Sequence, residues 1–260
     1  ADAELTAYEY LAILTHDMEG FQSGRVYLEQ SLQLCQRLGK ELSEQEGHYA
    51  LALLAYWSGE YETAQQEFEA ALALALRLGY QIGEMFALLG LGEMQRLQGN
   101  YTAAQAAIEQ GLTLARLLND RFGQINALVG LSHLHCLLGN LAGAAGFVAQ
   151  LTQILETHEL LPENRVLILD GLAFYEHCAG QTQQALAYAE RARQVLEDDL
   201  RSRVTLGHIQ ATVQEWDAAS ATYQIAVAHH MKRGNRAMAA EPQAGLAHIA
   251  LVQGDLAGAQ

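Results

Sequence analysis

Apolar residues along the chain keep the three- to four-residue spacing of amphipathic helices, interrupted by short polar breaks. The stretch from Leu88 to Leu117 shows the unit. One apolar run carries Leu88, Leu91 and Gly92 and stops at Gly99-Asn100. A second run carries Tyr101, Ala104, Ile108 and Gly111. Gly99 suits a left-handed C-terminal cap, and Asn100 is placed to cap the next helix through its side-chain oxygen. So short a break makes the two helices antiparallel neighbours.

The unit recurs. The leucine at 91 reappears as Leu11, Leu51, Leu131, Leu172, Leu206 and Leu246, in steps of 40, 40, 40, 41, 34 and 40 residues. A small residue follows each: Ala12, Ala52, Gly92, Ser132, Ala173, Gly207 and Ala247. A bulky residue stands ten positions on as Phe21, Tyr61, Tyr101, Leu141, Trp216 and Leu256, with Thr182 the exception. The expected organisation is a single helical-repeat solenoid over 1–260, with repeats at about 4–39, 44–79, 81–119, 120–158, 162–199, 200–234 and a truncated 235–260. Asp120 is the expected N-cap of one helix and Pro162 the first-turn residue of another. Pro242 falls inside the last helix, which should either start late or kink.

These residues resemble the tetratricopeptide repeat. Leu88, Leu91-Gly92, Gly99-Asn100, Tyr101, Ala104, Ile108 and Gly111 fill its motif positions, as do Ala64, Phe68 and Ala71, and Ala219, Tyr223 and Ala226. The spacing departs from the family's usual repeat length, because most copies here are 40 residues apart. This longer form, with phrases such as Ala239–Ala247 and Leu251–Leu256, looks like the C-terminal sensor regions of bacterial STAND signal-transducing ATPases. The resemblance implies an all-α, right-handed superhelix of about seven helix pairs. Its expected role is that of a non-catalytic cytoplasmic sensor that binds a peptide, protein or small inducer. It also implies an attached nucleotide-binding effector domain. The chain has no Gly-x4-Gly-Lys-Ser/Thr loop, so that domain would lie elsewhere. The missing initiator Met and the cut last repeat read as a piece of a longer protein.

Composition narrows the classes. A formal charge of −15 argues against nucleic acid as partner, while permitting a basic one. No apolar run reaches membrane-spanning length and no basic-then-apolar stretch opens the sequence, so neither a membrane span nor a signal peptide is expected. Three scattered cysteines, Cys35, Cys136 and Cys178, suit a reducing compartment. No nucleophile elbow, HExxH or EF-hand loop is present, and no cofactor is expected.

If the family's geometry holds, positions two before, two after and five or six after each leucine face a concave groove. They include Glu9, His16 and Asp17, then Tyr49, Leu53, Tyr56 and Trp57, then Leu89, Glu93, Arg96 and Leu97. Val129, His133, Cys136 and Leu137 follow, then Asp170, Phe174, His177 and Cys178, with His208 and His248 last. The candidate ligand-binding residues are Tyr49, Tyr56, Trp57, Phe86, Glu93, Arg96, His133, Asp170, Phe174, His177 and His208. Tyr49, Tyr56 and Trp57 are the expected aromatic anchors.

The groove positions hold no Lys or Asn, so the carboxylate clamp of chaperone-binding relatives is not expected. Gly90, Gly130, Gly171 and Gly245 precede the leucines, and close helix packing explains them better than an open shelf. Two alternatives remain. One is a constitutive scaffold. The other, disfavoured, is a metal-binding or metal-dependent enzymatic site at His133, Cys136, His177 and Cys178, a donor set that would suit tetrahedral zinc.

Overall fold

A computed structural model describes residues 21–196, 200–232 and 236–254. Among these, all regular structure is helical. The helices are α1 (Phe21–Leu38), α2 (Glu41–Ser58), α3 (Tyr61–Leu78), α4 (Gln81–Leu97), α5 (Tyr101–Leu117) and α6 (Arg121–Leu137). They continue as α7 (Leu141–Thr157), α8 (Pro162–Cys178), α9 (Thr182–Val195), α10 (Leu200–Thr212), α11 (Trp216–Lys232) and α12 (Arg236–Gln253). The first helix of the first repeat, its turn at Glu19-Gly20, and the positions Glu9, His16 and Asp17 lie outside the described residues. So do Gly234-Asn235 and the end of the chain from 255.

The turns fall where the sequence places them. Gly59, Gly79, Gly99, Gly139 and Gly180 all have positive φ, and Asn119 and Gln214 take the same left-handed conformation at φ 53° and 63°. At each corner the next two amides turn back onto the helix that has just ended. Gly59 N–H donates to Tyr56 O and Glu60 N–H to Ala55 O, and Gly99 and Asn100 repeat this against Arg96 and Gln95. The chain therefore reverses within two residues.

The caps are less uniform than the sequence suggests. Asn140 accepts from Gly143 N–H at 2.9 Å and Asp120 from Gly123 N–H at 2.6 Å, as N-caps do. Asn100 does not cap α5; its amide instead donates to Gln95 and Gln98. Gln95 and Gln98, at the end of the preceding helix, compete for that side chain. Pro162 opens α8, and α7 ends at Thr157 with His158 extended. The last helix runs from Arg236 through Pro242 without a late start. α9 ends at Val195.

The helices form two compact units. The first contains α1 to α5 and the opening turn of α6. The first helices of its repeats, α2 and α4, stand side by side, and α3 packs against both. Its core joins Ala52, Ala55, Ala64, Phe68 and Met94, with Tyr49, Tyr56 and Leu91 packed onto it. Alanines at the crossings let the backbones approach closely, and Phe68 fills the space they leave. Gly90 is part of this fit: a Cβ there would meet the Phe68 ring at 2.4 Å.

The second unit contains the rest of α6 with α7 to α10, most of α11, and α12 from Ala239. Here α8 touches both α9 and α10. One cluster joins Ala173, Ala185, Ala189, Leu206 and Ile209. Another joins Ala219, Tyr223 and Ile249, with Trp216 and Leu246 against it. Tyr223 is the counterpart of Phe68. A Cβ at Gly207 or at Gly245 would meet its ring at 2.5 Å. Gly171 likewise sits against Val129. Close packing, not an open shelf, explains Gly90, Gly171 and Gly245.

Candidate functional site

In the first unit the predicted residues of α2 and α4 come together on one face. Tyr49 lies 5.8 Å, centroid to centroid, from both Phe68 and Phe86, and Phe86 lies 6.0 Å from Phe122. An aromatic row thus runs from the core outward across three repeats. Farther along α2, the Tyr56 ring stands 6.2 Å from Tyr61, and its hydroxyl donates to Glu93 Oε1 at 3.2 Å. Arg96 meets Glu93 at two points: Nε donates to Oε2 at 2.7 Å and a terminal nitrogen donates to Oε1 at 2.6 Å. The guanidinium is fixed by its own helix neighbour, so this face is close to neutral. Trp57, next to Tyr56 in α2, is half-buried.

Tyr49 is an anchor of a different kind from the one expected. It packs into the aromatic row instead of projecting from it, and burial pushes its hydroxyl up to about 12. The sequence reading missed Phe122 and Tyr61, both well exposed, which extend the face at either end. Tyr61 is one of the bulky residues that follow each turn, and that signal pointed to packing instead.

The second unit carries the other candidates. The His133 ring packs against Phe174, with centroids 4.4 Å apart. His208 bridges two elements: Nδ1 is 2.8 Å from the Tyr223 hydroxyl and Nε2 is 3.0 Å from Glu241 Oε1. Burial, helped by the nearby His208, pulls His177 below the ordinary histidine value. Cys136 is a buried free thiol and Cys178 an exposed one.

Two candidates are corrected. Asp170 is 1% exposed and does not line a groove, and Val129 is also buried. Both stand two residues before their leucine, where α8 is buried continuously from Val166 to Ala173. Helices crowd this level, so the position faces a neighbouring helix. Toward the ends of α4, α6 and α8 the coverage falls: Glu93, His133 and Phe174 are half-buried, while Leu97, Leu137 and Cys178 are exposed. Among the described residues no three His, Cys, Asp or Glu side chains are disposed to share a metal ion. His133, Cys136, His177 and Cys178 do not form such a group, and the His133 ring is stacked on Phe174.

A cleft of about 180 Å³ lies elsewhere in the first unit, walled by Arg25, Glu29 and Gln33 of α1, Leu51 of α2, and Thr63 and Glu67 of α3. Arg25 is already paired with Glu29 at 2.9 Å and Glu60 at 2.7 Å. The cleft is smaller than usual small-molecule pockets and contains none of the aromatic face. Among the described residues no helix is long and apolar enough to cross a membrane.

No protein-family model and no curated protein matches the sequence. Solved structures do match in fold. NprR in complex with its cognate peptide NprX superposes with a TM-score of 0.73 at 14% identity, over 99% of this chain and 74% of that one. The apo form of RapI gives 0.67 at 13% identity, over 98% and 93%. The apo quorum sensor NprR from B. thuringiensis gives 0.60 at 14% identity, over 99% and 83%. The chain therefore carries the all-α, tetratricopeptide-repeat-like fold that NprR and RapI share.

Proposed function

We propose that the chain is a peptide-binding sensor module whose ligand lies on the face formed by α2 and α4. The observation that carries this is the set of half-buried and exposed aromatics on this unit: Tyr56, bonded to the Glu93–Arg96 pair, its neighbour Trp57, and Phe86 packed on Phe122. Aromatics of this kind supply large contact area at low entropy cost. The internally neutralised pair offers hydrogen bonds to a peptide backbone without demanding a charged end. A neutral, apolar short peptide fits this chemistry better than an acidic tail. The likeness to NprR, crystallised with its cognate peptide, supports the reading at the level of fold.

The wider context belongs to the same proposal. The module would act as the inducer- or partner-binding region of a larger cytoplasmic bacterial regulator of the STAND type. A nucleotide-binding effector would respond to the bound state. A ligand can bias such an effector only by as much as it prefers one state of the repeats.

The test is affinity selection of displayed random short peptides on the immobilised protein, with counter-selection on a Trp57→Ala/Phe86→Ala variant. The reading expects sequences rich in apolar side chains that the variant does not retain. Sequences retained equally by both proteins would overturn it.

A further inference from the structure

Seven Lys and Arg residues lie between 21 and 123, all in the first unit. Two of them are bonded to glutamates, Arg25 to Glu29 and Glu60, and Arg96 to Glu93. The other five gather at one edge, where the second helix of a repeat passes to the first helix of the next. Arg37, Arg77 and Arg116 stand in the last turns of α1, α3 and α5. Lys40 is the N-cap residue of α2, and Arg121 opens α6. Large exposed apolar side chains share these corners: Leu38 and Leu42, Leu78 and Ile82, then Leu117.

Helix electrostatics explain only part of this. The helix dipole favours a base in a last turn, which accounts for Arg37, Arg77 and Arg116. It disfavours a cation at a helix start, where Lys40 and Arg121 stand. Nor does it call for leucine or isoleucine in water beside the bases. The two acids within 37–42, 77–82 and 116–122 are engaged: Glu41 accepts from Arg77 at 2.8 Å, and Asp120 caps Gly123 N–H. Arg37 and Arg121 are exposed and make no ion pair among the described residues. At the opposite corners of the same unit, 58–62 and 98–102 hold no Lys or Arg. In a chain of formal charge −15, the bases of this unit are thus sorted to one edge.

We propose that this edge is a docking surface for an acidic amphipathic helix of a partner protein. Charge complementarity carries the choice: bases interleaved with leucines and an isoleucine match carboxylates flanking an apolar stripe. The spacing agrees. α2 and α4 stand side by side, and packed helices lie about 8–10 Å apart, so three successive corners span roughly 20 Å. Two turns of helix advance about 11 Å, and about 14 residues cover the whole edge. A helix laid along it meets each corner with apolar residues about seven positions apart. Its carboxylates then reach Arg37, Arg77 and Arg116. An anionic bilayer would attract the same five bases, but it repels a chain of charge −15. The inference does not depend on the peptide reading: Tyr56 and Trp57 lie at the other end of α2 from Leu42.

The test is fluorescence anisotropy of the full chain with a labelled peptide of about 14 residues, leucine at every third or fourth position and glutamate and alanine elsewhere. Its counterpart carries lysine in place of each glutamate. The glutamate peptide should bind, more weakly as salt rises, and the lysine peptide should not. Arg37→Glu/Arg77→Glu and Leu42→Ser/Ile82→Ser should each lose at least about tenfold in affinity while circular dichroism shows them still helical. Trp57→Ala should bind as the wild type does. Four outcomes would overturn the proposal: no binding of the glutamate peptide, equal binding of the lysine peptide, full affinity in the helical Arg37→Glu/Arg77→Glu variant, or capture of the protein by vesicles of anionic phospholipid that the glutamate peptide does not displace.

Discussion

The Phe68 ring occupies the space that a side chain at Gly90 would need: a Cβ there comes within 2.4 Å of Phe68 Cε1. Phe68 is buried among Ala52, Ala55 and Ala64 and has nowhere to move. Gly90→Ala should therefore lower stability by about 1–3 kcal/mol, the usual cost of overpacking. Combining it with Phe68→Leu should cost less than the sum of the two single changes. Chemical denaturation of the four proteins of the cycle checks this, and simple additivity would show that the two residues do not compete for space.

Gln214 holds φ 63° at a corner where five other repeats use glycine. A left-handed conformation costs an L-residue about 1–2 kcal/mol, part of which glycine returns as unfolded-chain entropy. Gln214→Gly should raise the urea midpoint, with a gain of up to about 1 kcal/mol. Asn119→Gly should gain less, because asparagine tolerates this region.

Asn140 and Asn100 occupy the same motif position but do different things. Asn140 caps α7 through Gly143 N–H, whereas Asn100 turns to Gln95 and Gln98. Asn140→Ala should cost about 1 kcal/mol. Asn100→Ala breaks only exposed side-chain bonds and should cost a few tenths at most. Equal losses would mean that Asn100 caps its helix after all.

His177 gives a signed pH dependence. Its folded-state value lies below the ordinary 6.5, through burial and then His208. The unfolded chain therefore binds the proton first as pH falls, and stability drops from about pH 6.5 downward through the folded value. Above that range the group is neutral in both states and contributes nothing to the pH dependence. His177→Gln should flatten this part of the profile, read from denaturation midpoints across the range. An unchanged slope would assign the dependence to another group.

The repeats, their corners and their packing residues were legible because each rests on a local rule. Glycine at Gly99 and Gly139 marks a left-handed corner, and Ala64-Phe68-Ala71 marks a crossing. What lay beyond the pattern was how deeply a face is covered. Periodicity puts Tyr49 and Asp170 on the same side of their helices as Glu93. Coverage depends on the distance to the next first helix, which sequence spacing does not carry. Asp170 is thus buried and Tyr49 joins a stack, while Phe122 and Tyr61 enter the face from neighbouring elements. Competition for a side chain hid the rest: Asn100 found Gln95 and Gln98 at the end of the preceding helix.

The most direct measurement is the affinity of a selected peptide, by calorimetry, for the wild type, for Trp57→Ala/Phe86→Ala, and for Phe174→Ala in the other unit. Far-UV circular dichroism confirms that each protein stays helical. A ligand held on α2 and α4 predicts at least about a tenfold loss for the double variant, as expected when central aromatic anchors are removed, and no loss for Phe174→Ala. Unchanged affinity of the helical double variant, or a loss confined to Phe174→Ala, would contradict the account.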